Sequence, residues 1–443
     1  SSAASDVYKR QGSTSGAGYT NGAGSSEYKM LSYFARVNYT LMDRYLFEVN
    51  MRADASSRFH KDHRWGYFPS FSAGWRMSEE SFMKDIEWIN NLKIRASYGT
   101  LGNINNVGNY DYFQNYSSGN HYNFSDSPVI GIGESKPANE TLGWEKVALT
   151  DIGLDFDIFN GLLGVTADYY IKNTSDILLG YNVPTETGIT AAPSQNIGKV
   201  KNTGFELALN HRNKIGAVNY SIGANIATNK NKITNLGGSD NIIQTSSYIV
   251  KYILKKGESI GSFYGFKTDG LYTQADIDAG HYYTLSGVVP NAGDIKFVPQ
   301  RDIEYKQEIT DEDRTILGKD VPDFTYGVNL SLQYKGFEFS MFGQGISGTK
   351  VAFDVYGVHP FYHGQDSPRK YHLKRWTEEN PNPHAAYPRI YSASSVHTTY
   401  NRNFSDYHLF DSDYFRFKTL SLGYTVPSAT AVSYTHLTLP TKA

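Results

Sequence analysis

The chain has 443 residues, a formal net charge of −2 and no cysteine. The lack of cysteine excludes disulfides and thiolate chemistry, and the near-neutral charge gives no reason to expect a nucleic-acid partner. No run of about 18 apolar residues occurs, so no transmembrane helix is predicted. Tyrosine (35), phenylalanine (24) and glycine (41) are abundant at a mean hydropathy of −0.47. The length allows roughly two or three separate domains, or part of one large barrel.

The two ends of the chain differ from the rest. Residues 1–11 and 433–443 break the local pattern and look like translated adapter sequence, so we expect both to be non-native. No secretory signal opens the chain, and we therefore expect the native region, residues 12–432, to lack its true N-terminus.

The first strands are marked by side chains that alternate between apolar and polar. Residues 33–52 form two such runs joined by a turn at residues 42–43, which is typical of a β-hairpin. A third run covers residues 71–77. Ser78 then looks like the N-cap of a short helix, because apolar residues recur at helical spacing as far as Ile89.

The clearest hairpin lies in the first half of the chain. A strand at 92–98 is followed by a predicted loop over residues 99–143. Residues 151–172 then form two alternating runs around Asn160-Gly161, a strong signal for a two-residue hairpin turn. Aspartates occupy one face of the first run and aliphatic residues the other, so the two faces of the sheet must meet different surroundings.

The second half of the chain shows the same pattern of alternating strands and connections. The predicted segments are a loop at 173–203, strands at 205–209 and 218–226, an insertion at 229–322, a hairpin at 324–341 with its turn at 335–336, an insertion at 345–413 and a last strand at 414–426. About eleven strands result, and tight turns alternate with long connections. This pattern predicts an all-β, antiparallel transmembrane β-barrel with apolar residues outward and long extracellular loops. A β-sandwich or propeller is the alternative.

Several sequence strings resemble the barrel of SusC/RagA-type TonB-dependent transporters. They are RADASSRF (52–59), RWGYFPSFSAGWR (64–76), LKIRASYG (92–99), WEK (144–146), DYY (168–170), NTGFE (202–206), GSFYG (261–265), GDIKF (293–297), PDFTYG (322–327) and LSLGY (420–424). None is decisive by itself, but the ordered set spans nearly the whole chain.

The resemblance implies a plugged barrel of about 22 strands, of which residues 12–432 form about half, without the plug. It also implies active import of oligosaccharides or peptides across the outer membrane of a Gram-negative bacterium. The implied partners are a SusD-like surface lipoprotein, the TonB complex acting through the missing plug, and outer-membrane lipid. No enzymatic activity, cofactor or metal is expected. The rival interpretations are a secreted or surface β-rich glycan-binding protein or adhesin, and a passive porin.

Candidate substrate contacts lie in the loop predicted at 99–143. Tyr110, Tyr112 and Tyr116 are interspersed with amide and acidic residues, and tyrosine rings can stack on sugars while amides bind hydroxyl groups. The alternative is that these rings pack the loop against its neighbours. Arg64 and Trp65 are expected to order the rim rather than to bind substrate.

Metal chemistry finds little support. His359 and His363 have a spacing of four residues, but proline and glycine neighbours argue against a helix and no third ligand is near, so a loop surface is expected. The acidic run at 311–313 is expected to be a solvated turn. Relatives often carry a calcium-like acidic loop where this chain has residues 298–303, which lack alternating oxygen ligands, so calcium is not predicted there.

Overall fold

The computed structural model describes residues 26–124, 127–180, 194–245, 249–353, 359–361 and 367–426. The two ends that we expect to be non-native, residues 1–11 and 433–443, lie outside the described residues, and so does His363. His359 was expected on a loop surface, but it is buried, with 6% of its surface exposed. Among the described residues, no helix is long and apolar enough to cross a membrane.

Strands dominate the described chain. The strands up to the first long insertion are β1 (Met30–Leu41), β2 (Tyr45–Ser56), β3 (Trp65–Arg76), β4 (Ile89–Asn103), β5 (Asn115–Phe124), β6 (Ser127–Lys136), β7 (Glu145–Ile158), β8 (Leu163–Gly180), β9 (Ser194–Ile215) and β10 (Val218–Thr228).

The two long insertions carry short strands and short helices. The remaining strands are β11 (Lys230–Leu236), β12 (Asn241–Thr245), β13 (Lys251–Lys255), β14 (Ser262–Gly265), β15 (Lys267–Leu271), β16 (Thr284–Leu285), β17 (Ile295–Val298), β18 (Glu308–Ile309), β19 (Thr315–Lys319), β20 (Phe324–Tyr334), β21 (Phe337–Ser347), β22 (Lys350–Ala352), β23 (Leu409–Asp411) and β24 (Tyr414–Tyr424). The helices are α1 (Gln274–Asp278), α2 (Val396–Asn401) and 3-10 turns at Met77–Glu79, Asp311–Asp313, Lys370–Lys374 and Asp406–His408.

One large antiparallel sheet organises the described residues. Its strand order is β1-β2-β3-β4-β7-β8-β9-β10-β20-β21-β24, and β11 continues along the edge of β9 beyond β10. Each strand on this path pairs with the next one that reaches the sheet, as expected of an up-and-down barrel wall. The expected all-β, antiparallel fold is confirmed.

The strand register separates two faces of the sheet. One row runs across neighbouring strands through Ile94, Leu154, Ala167, Leu207 and Ile226. The adjacent row, one residue along each strand, carries charged and small residues. We call the apolar side the outer face and the polar side the inner face, because a barrel wall in lipid must turn its apolar side outward.

The connections also separate into two classes. Tight turns at 42–44, 159–162, 216–217 and 335–336 lie at one edge of the sheet, the turn rim. Lys335 and Gly336 have φ values of 44° and 88°, so this turn suits the twist of the flanking strands. The β3–β4 connection, residues 77–88, lies at the same rim but is longer, whereas the other long connections leave from the opposite edge, the loop rim. The predicted alternation of tight and long connections is confirmed, although the turn at Asn160-Gly161 takes four residues instead of two.

The helix expected from Ser78 to Ile89 is not present. Residues 77–79 form a 3-10 turn and further turns follow until β4 begins at Ile89. The carboxylate of Glu80 accepts hydrogen bonds from Tyr45 Oη at 2.7 Å and Trp75 Nε1 at 3.1 Å, and it pairs with Arg44 at 2.9 Å. These contacts attach the segment to β2 and β3 at the turn rim. They outweigh the tendency to form a helix that the spacing of its apolar residues indicated.

Several predicted loops contain strand. The loop expected at 99–143 begins only after Asn103 and includes the hairpin of β5 and β6. The loop expected at 173–203 is also shorter, since β8 reaches Gly180 and β9 begins at Ser194. The last strand ends at Tyr424 instead of residue 426. Strands β4, β8 and β9 therefore extend past the limits that apolar alternation indicates, whereas β24 stops short of its predicted end.

The two insertions fold together into what we call the loop body, the described parts of residues 229–323 and 348–413. Phe297 of the first insertion is fully buried and contacts Tyr400 of the second, with ring centroids 5.2 Å apart. Asp294 is also fully buried, and its Oδ1 accepts a hydrogen bond from Asn401 Nδ2 at 2.8 Å. The insertions thus share one apolar core, although the β20–β21 hairpin separates them in the chain.

Candidate functional site

The inner face carries a charged cluster at the middle of the wall. Arg95 of β4 pairs with Asp151 and Asp155 of β7 at 3.4 and 3.2 Å, and with Asp168 of β8 at 2.7 Å. The guanidinium passes over Gly153, where a Cβ atom would lie 2.5 Å from Arg95 Cζ. Glycine at this position therefore allows one arginine to bridge three strands.

We expect replacement of Arg95 by methionine to destabilise the wall by roughly 1 to 3 kcal/mol, because charge-assisted hydrogen bonds to three aspartates are lost. The readout is the temperature at which the folded form of the full-length protein disappears in semi-native electrophoresis. Arg36→Met is the control, since its side chain is 64% exposed and lies 3.8 Å from Glu48. Adding Asp168→Asn to the Arg95 variant should restore part of the loss; an unchanged temperature in Arg95→Met would contradict the role.

A cavity of about 320 Å³ opens on the inner face at the loop rim. Its polar lining comes from Tyr170 and Lys172 of β8, Asn202 and Glu206 of β9, and Asp323 and Thr325 at the start of β20. The register places Lys172 opposite Asn202 and Tyr170 opposite Gly204. The pairing of β8 with β9 therefore brings these side chains to one place.

Tyr170 is held in a defined position. Its ring lies over Gly204, where a Cβ atom would be 2.5 Å from the ring, and its hydroxyl donates a hydrogen bond to the Thr228 carbonyl oxygen at 3.3 Å. An aromatic ring fixed over a glycine is a rigid surface for an apolar or sugar-like group.

Two opposite charges remain available in this cavity. Lys172 and Glu206 are exposed on the inner face, and neither forms an ion pair with another described residue. Such groups can bind a charged or hydroxylated molecule without first breaking an internal ion pair. The arrangement supports binding of a charged or hydroxylated ligand.

A larger cleft of about 760 Å³ lies next to this cavity, between the rim and the loop body. The two share Thr228, Asn229 and Asp323. Two ion pairs lie in the lining of the cleft. One joins Lys319 and Asp323, and the other joins Lys350 and Asp411 at 2.9 Å. The cleft therefore adjoins the cavity, and its lining residues extend from the start of β20 to the loop body.

The three tyrosines predicted as substrate contacts lie in another part of the rim. Tyr112 stacks on Phe113 with centroids 4.3 Å apart, and Tyr110 also contacts Phe113. The Tyr110 hydroxyl accepts a hydrogen bond from the Glu27 backbone N–H at 3.0 Å. Tyr116 is 64% exposed at the start of β5. Tyr110 and Tyr112 thus share one aromatic contact, and the role of all three in substrate binding stays a prediction.

The RADASSRF and WEK strings form a structural core at the same rim. Phe59 is fully buried against Trp144, with centroids 5.3 Å apart, and Trp144 Nε1 donates to the Arg64 carbonyl oxygen at 2.9 Å. Arg64 therefore takes part in the packing of the rim, whereas Trp65 is 41% exposed and its expected role in ordering the rim stays a prediction. The cavity residues Tyr170 and Glu206 belong to the strings DYY and NTGFE, but they were not predicted as substrate contacts; those strings and their alternate positions in β8 and β9 were the available signal.

The acidic run at 311–313 is only partly a solvated turn. Asp311 and Glu312 are exposed, but Asp313 is fully buried. Burial alone would raise the pKa of Asp313, but Arg301 and backbone N–H groups of Gln300, Arg301 and Thr310 outweigh it and lower the pKa to about 2. Among the described residues, no group of histidine and acidic side chains is arranged to hold a metal ion.

Comparison with known proteins agrees with this architecture. A family model described as "TonB dependent receptor-like, beta-barrel" matches residues 2–439. TonB-dependent receptor P3 of Formosa agariphila is 32% identical over 410 residues, which cover 91% of this chain and 39% of the relative. TonB-dependent receptor SusC of Bacteroides thetaiotaomicron is 34% identical over 318 residues, covering 70% of this chain and 30% of the relative.

Solved structures give the same result. The RagAB peptide transporter superposes with a TM-score of 0.73 at 25% identity, covering 92% of this chain and 42% of that chain. The chain spans about two fifths of the length of TonB-dependent receptor P3 and of the RagAB transporter chain. With its continuous antiparallel wall, apolar outer face and long loops at one rim, the chain belongs to the TonB-dependent receptor β-barrel family and lies in the outer membrane of a Gram-negative bacterium.

Proposed function

We propose that the chain forms part of an active importer of oligosaccharides or peptides, in which the inner-face cavity around Tyr170 contacts the substrate. The observation that carries the proposal is the cavity itself: a fixed ring, an amide and two charges that form no ion pair with any residue the structure describes, on the inner face where the loop body meets the wall. Polar groups that converge around an aromatic ring are the usual lining of a site for polar organic ligands.

In the transport mechanism that we propose, the chain acts by holding other parts of the transporter in position. The complete barrel holds a plug, the TonB complex pulls on that plug from the inner membrane, and a SusD-like lipoprotein closes over the loop rim. This chain then supplies the wall and part of the substrate-contacting surface, and it performs no covalent chemistry. The similarity to SusC and to the RagAB transporter supports this division of roles.

Tyr110, Tyr112 and Tyr116 have a secondary place in the proposal. Tyr116 is exposed and can contact a substrate or the lipoprotein, whereas Tyr112 is packed against Phe113. Tyr116→Ala should therefore weaken binding of the substrate or the lipoprotein more than Tyr112→Ala does.

The test uses the full-length transporter with its lipoprotein partner, a panel of neutral oligosaccharides and a panel of short peptides. We expect one panel to bind in titration calorimetry. For peptides, Lys172→Met and Glu206→Gln should weaken binding about tenfold, since each removes one charge contact in a partly enclosed site. For neutral sugars, Tyr170→Ala should have the larger effect, because it removes the stacking surface.

Lys201→Met is the matched control, because Lys201 lies on the same strand but one position from Asn202 and hence on the outer face. It should leave binding unchanged. If neither panel binds the wild-type complex or is accumulated by cells that carry it, the importer proposal fails. If a panel binds but the cavity variants equal the control, the importer proposal stands and the cavity is not its substrate contact.

A further inference from the structure

Strand β12 forms a free edge of a four-stranded sheet in the loop body. The order of this sheet is β12-β13-β14-β19, and among the described residues no strand pairs with the second edge of β12. Asn241, Ile243, Gln244 and Thr245 of this strand are exposed. A free edge presents a row of backbone N–H and C=O groups that can pair with another strand. A further strand can therefore be added to the sheet beside β12.

The two edges of this sheet differ in how they are protected. Proteins usually protect a free edge with lysine, proline, a bulge or a covering segment. At the β19 edge, Lys350 of β22 covers Gly318, where a Cβ atom would lie 2.6 Å from Lys350 Cδ, and Lys319 pairs with Asp323. β12 has the sequence NIIQT, and its register with β13 runs without a bulge. Its own sequence and register thus contain none of these protective features.

Strand β12 is fixed by packing on one of its faces. Ile242 packs on a core in which Ile233 and Leu236 of β11 are buried. Ile243 points to the opposite face, since side chains alternate along a strand, and 51% of its surface is exposed. A side chain of an added strand can pack against Ile243 there. The edge is therefore formed in advance, which lowers the entropic cost of binding.

Lysines adjoin this edge. Lys255 lies at the end of β13 that pairs with the start of β12, and Lys232 Cε of β11 is 3.9 Å from where a Cβ atom of Gly257 would lie. We call the exposed lysines of this region that form no ion pair with another described residue the lysine patch: Lys199, Lys201, Lys230, Lys232, Lys255 and Lys256. The same stretches carry two acidic residues, Asp240 and Glu258, so an excess of positive charge remains.

This charge distinguishes between the occupants that the edge could take. Lys232 of β11 lies directly opposite Lys201 of β9, and like charges in this arrangement repel each other. A second copy of the chain that paired β12 with β12 would bring two lysine patches together and add to the repulsion. An acidic segment would reduce it. A polypeptide in extended conformation matches the N–H and C=O spacing of the edge.

We propose that β12 binds an extended, acidic segment of a partner polypeptide, which joins the four-stranded sheet as a further strand. Backbone hydrogen bonds to β12 hold the segment, and the lysine patch selects acidic segments and speeds their association. The site lies on the loop body, apart from the inner-face cavity around Tyr170. The inference does not depend on the proposed substrate.

Fluorescence anisotropy and hydrogen exchange of the full-length protein in mild detergent test the proposal. The probe is a labelled peptide in which valine alternates with glutamate. One control peptide has lysine in place of each glutamate, and another has proline at two consecutive central positions, which interrupts its backbone donors. We expect the acidic peptide to bind and to slow exchange of the β12 amides, and both control peptides to bind at least about tenfold more weakly.

Two pairs of variants separate the edge from the charge. Ile243→Asn should weaken binding of the acidic peptide about fivefold, because it removes an apolar contact and a residue that favours strands. Val289→Asn is its control, since Val289 is 49% exposed elsewhere on the loop body. Lys255→Gln with Lys256→Gln should also weaken binding, whereas Lys370→Gln with Lys374→Gln removes two exposed lysines of another segment and should have little effect.

Several results would overturn the proposal. The acidic peptide could bind no better than its lysine or proline counterpart, or bind without slowing exchange of β12. Equal binding by either test variant and its control would also contradict it. Slower exchange of β12 at high protein concentration without any peptide would identify a second copy of the chain as the occupant.

Discussion

Arg301→Met is expected to destabilise the loop body by about 3 to 5 kcal/mol, because it leaves the Asp313 carboxylate buried without its cation. Arg301 pairs with Asp313 at 2.7 Å through one terminal nitrogen, and its Nε donates a further bond at 3.1 Å. Asp313 is fully buried and the Arg301 side chain is 35% exposed, so removal of the guanidinium leaves the carboxylate with backbone N–H donors as its partners among the described residues. Hydrogen exchange of β19, which follows the 311–313 turn, measures the effect in the full-length protein.

Glu312→Gln is the matched control, since Glu312 also pairs with Arg301, at 3.1 Å, but its side chain is 76% exposed. Its effect should stay below about 0.5 kcal/mol. Arg301→Lys should recover part of the stability, because the charge remains while the bidentate geometry is lost. Exchange rates in Arg301→Met equal to those in Glu312→Gln would show that the buried ion pair does not stabilise this region.

The same pair predicts how stability changes with pH. The pKa of Asp313 is about 2 in the folded protein, below its ordinary value near 3.9. A lowered folded-state pKa stabilises the fold at pH values above about 4, and this contribution of roughly 2 kcal/mol is lost as the pH falls toward 2. In Asp313→Asn this part of the acid dependence should disappear, which a pH series of exchange rates in β19 would detect.

Phe297→Ala should cost about 3 to 5 kcal/mol through the cavity it leaves in the core of the loop body. Phe297 contacts Phe266 at 5.6 Å between ring centroids in its own insertion and Tyr400 at 5.2 Å in the other. We therefore expect hydrogen exchange to increase in α2, which lies about a hundred residues later in the chain. Val289→Ala is the control, because Val289 is half exposed.

Local and joint destabilisation give different exchange patterns. If the two insertions share one core, Phe297→Ala accelerates exchange in β17 and in α2 together. Faster exchange confined to β17 would mean that α2 is stabilised without the first insertion. The joint result is expected because Asp294 and Asn401 also form a buried hydrogen bond between the insertions.

The wall was predictable from the sequence because its signal is local. Alternation over residues 151–158 shows both that the segment is a strand and that its aspartates share a face, since the side-chain period of a strand is two. The pairing of Lys93 and Arg95 with those aspartates follows from the order of the strands. Turns such as Lys335-Gly336 were found for the same reason, since their backbone conformations favour particular residues.

The failures have tertiary causes. Residues 78–89 have helical spacing, but the bonds that Glu80 forms with β2 and β3 decide their conformation. The loop body was seen only as two long insertions, because its core joins residues as distant as Asp294 and Asn401, 107 positions apart. The inner-face cavity was missed because Glu206 and Asp323 meet only where β9, β10 and β20 are in register.

The shared core of the two insertions limits how the loops of this barrel can be altered. A chimera that exchanges the segment between β10 and β20 for that of a relative would place a foreign surface against the native Tyr400 and Asn401. Such single-loop grafts should misfold even when each segment is well suited to its own parent. The segment between β10 and β20 and the segment between β21 and β24 should therefore be replaced together. A chimera designed for a new binding specificity should take both segments from the same donor protein.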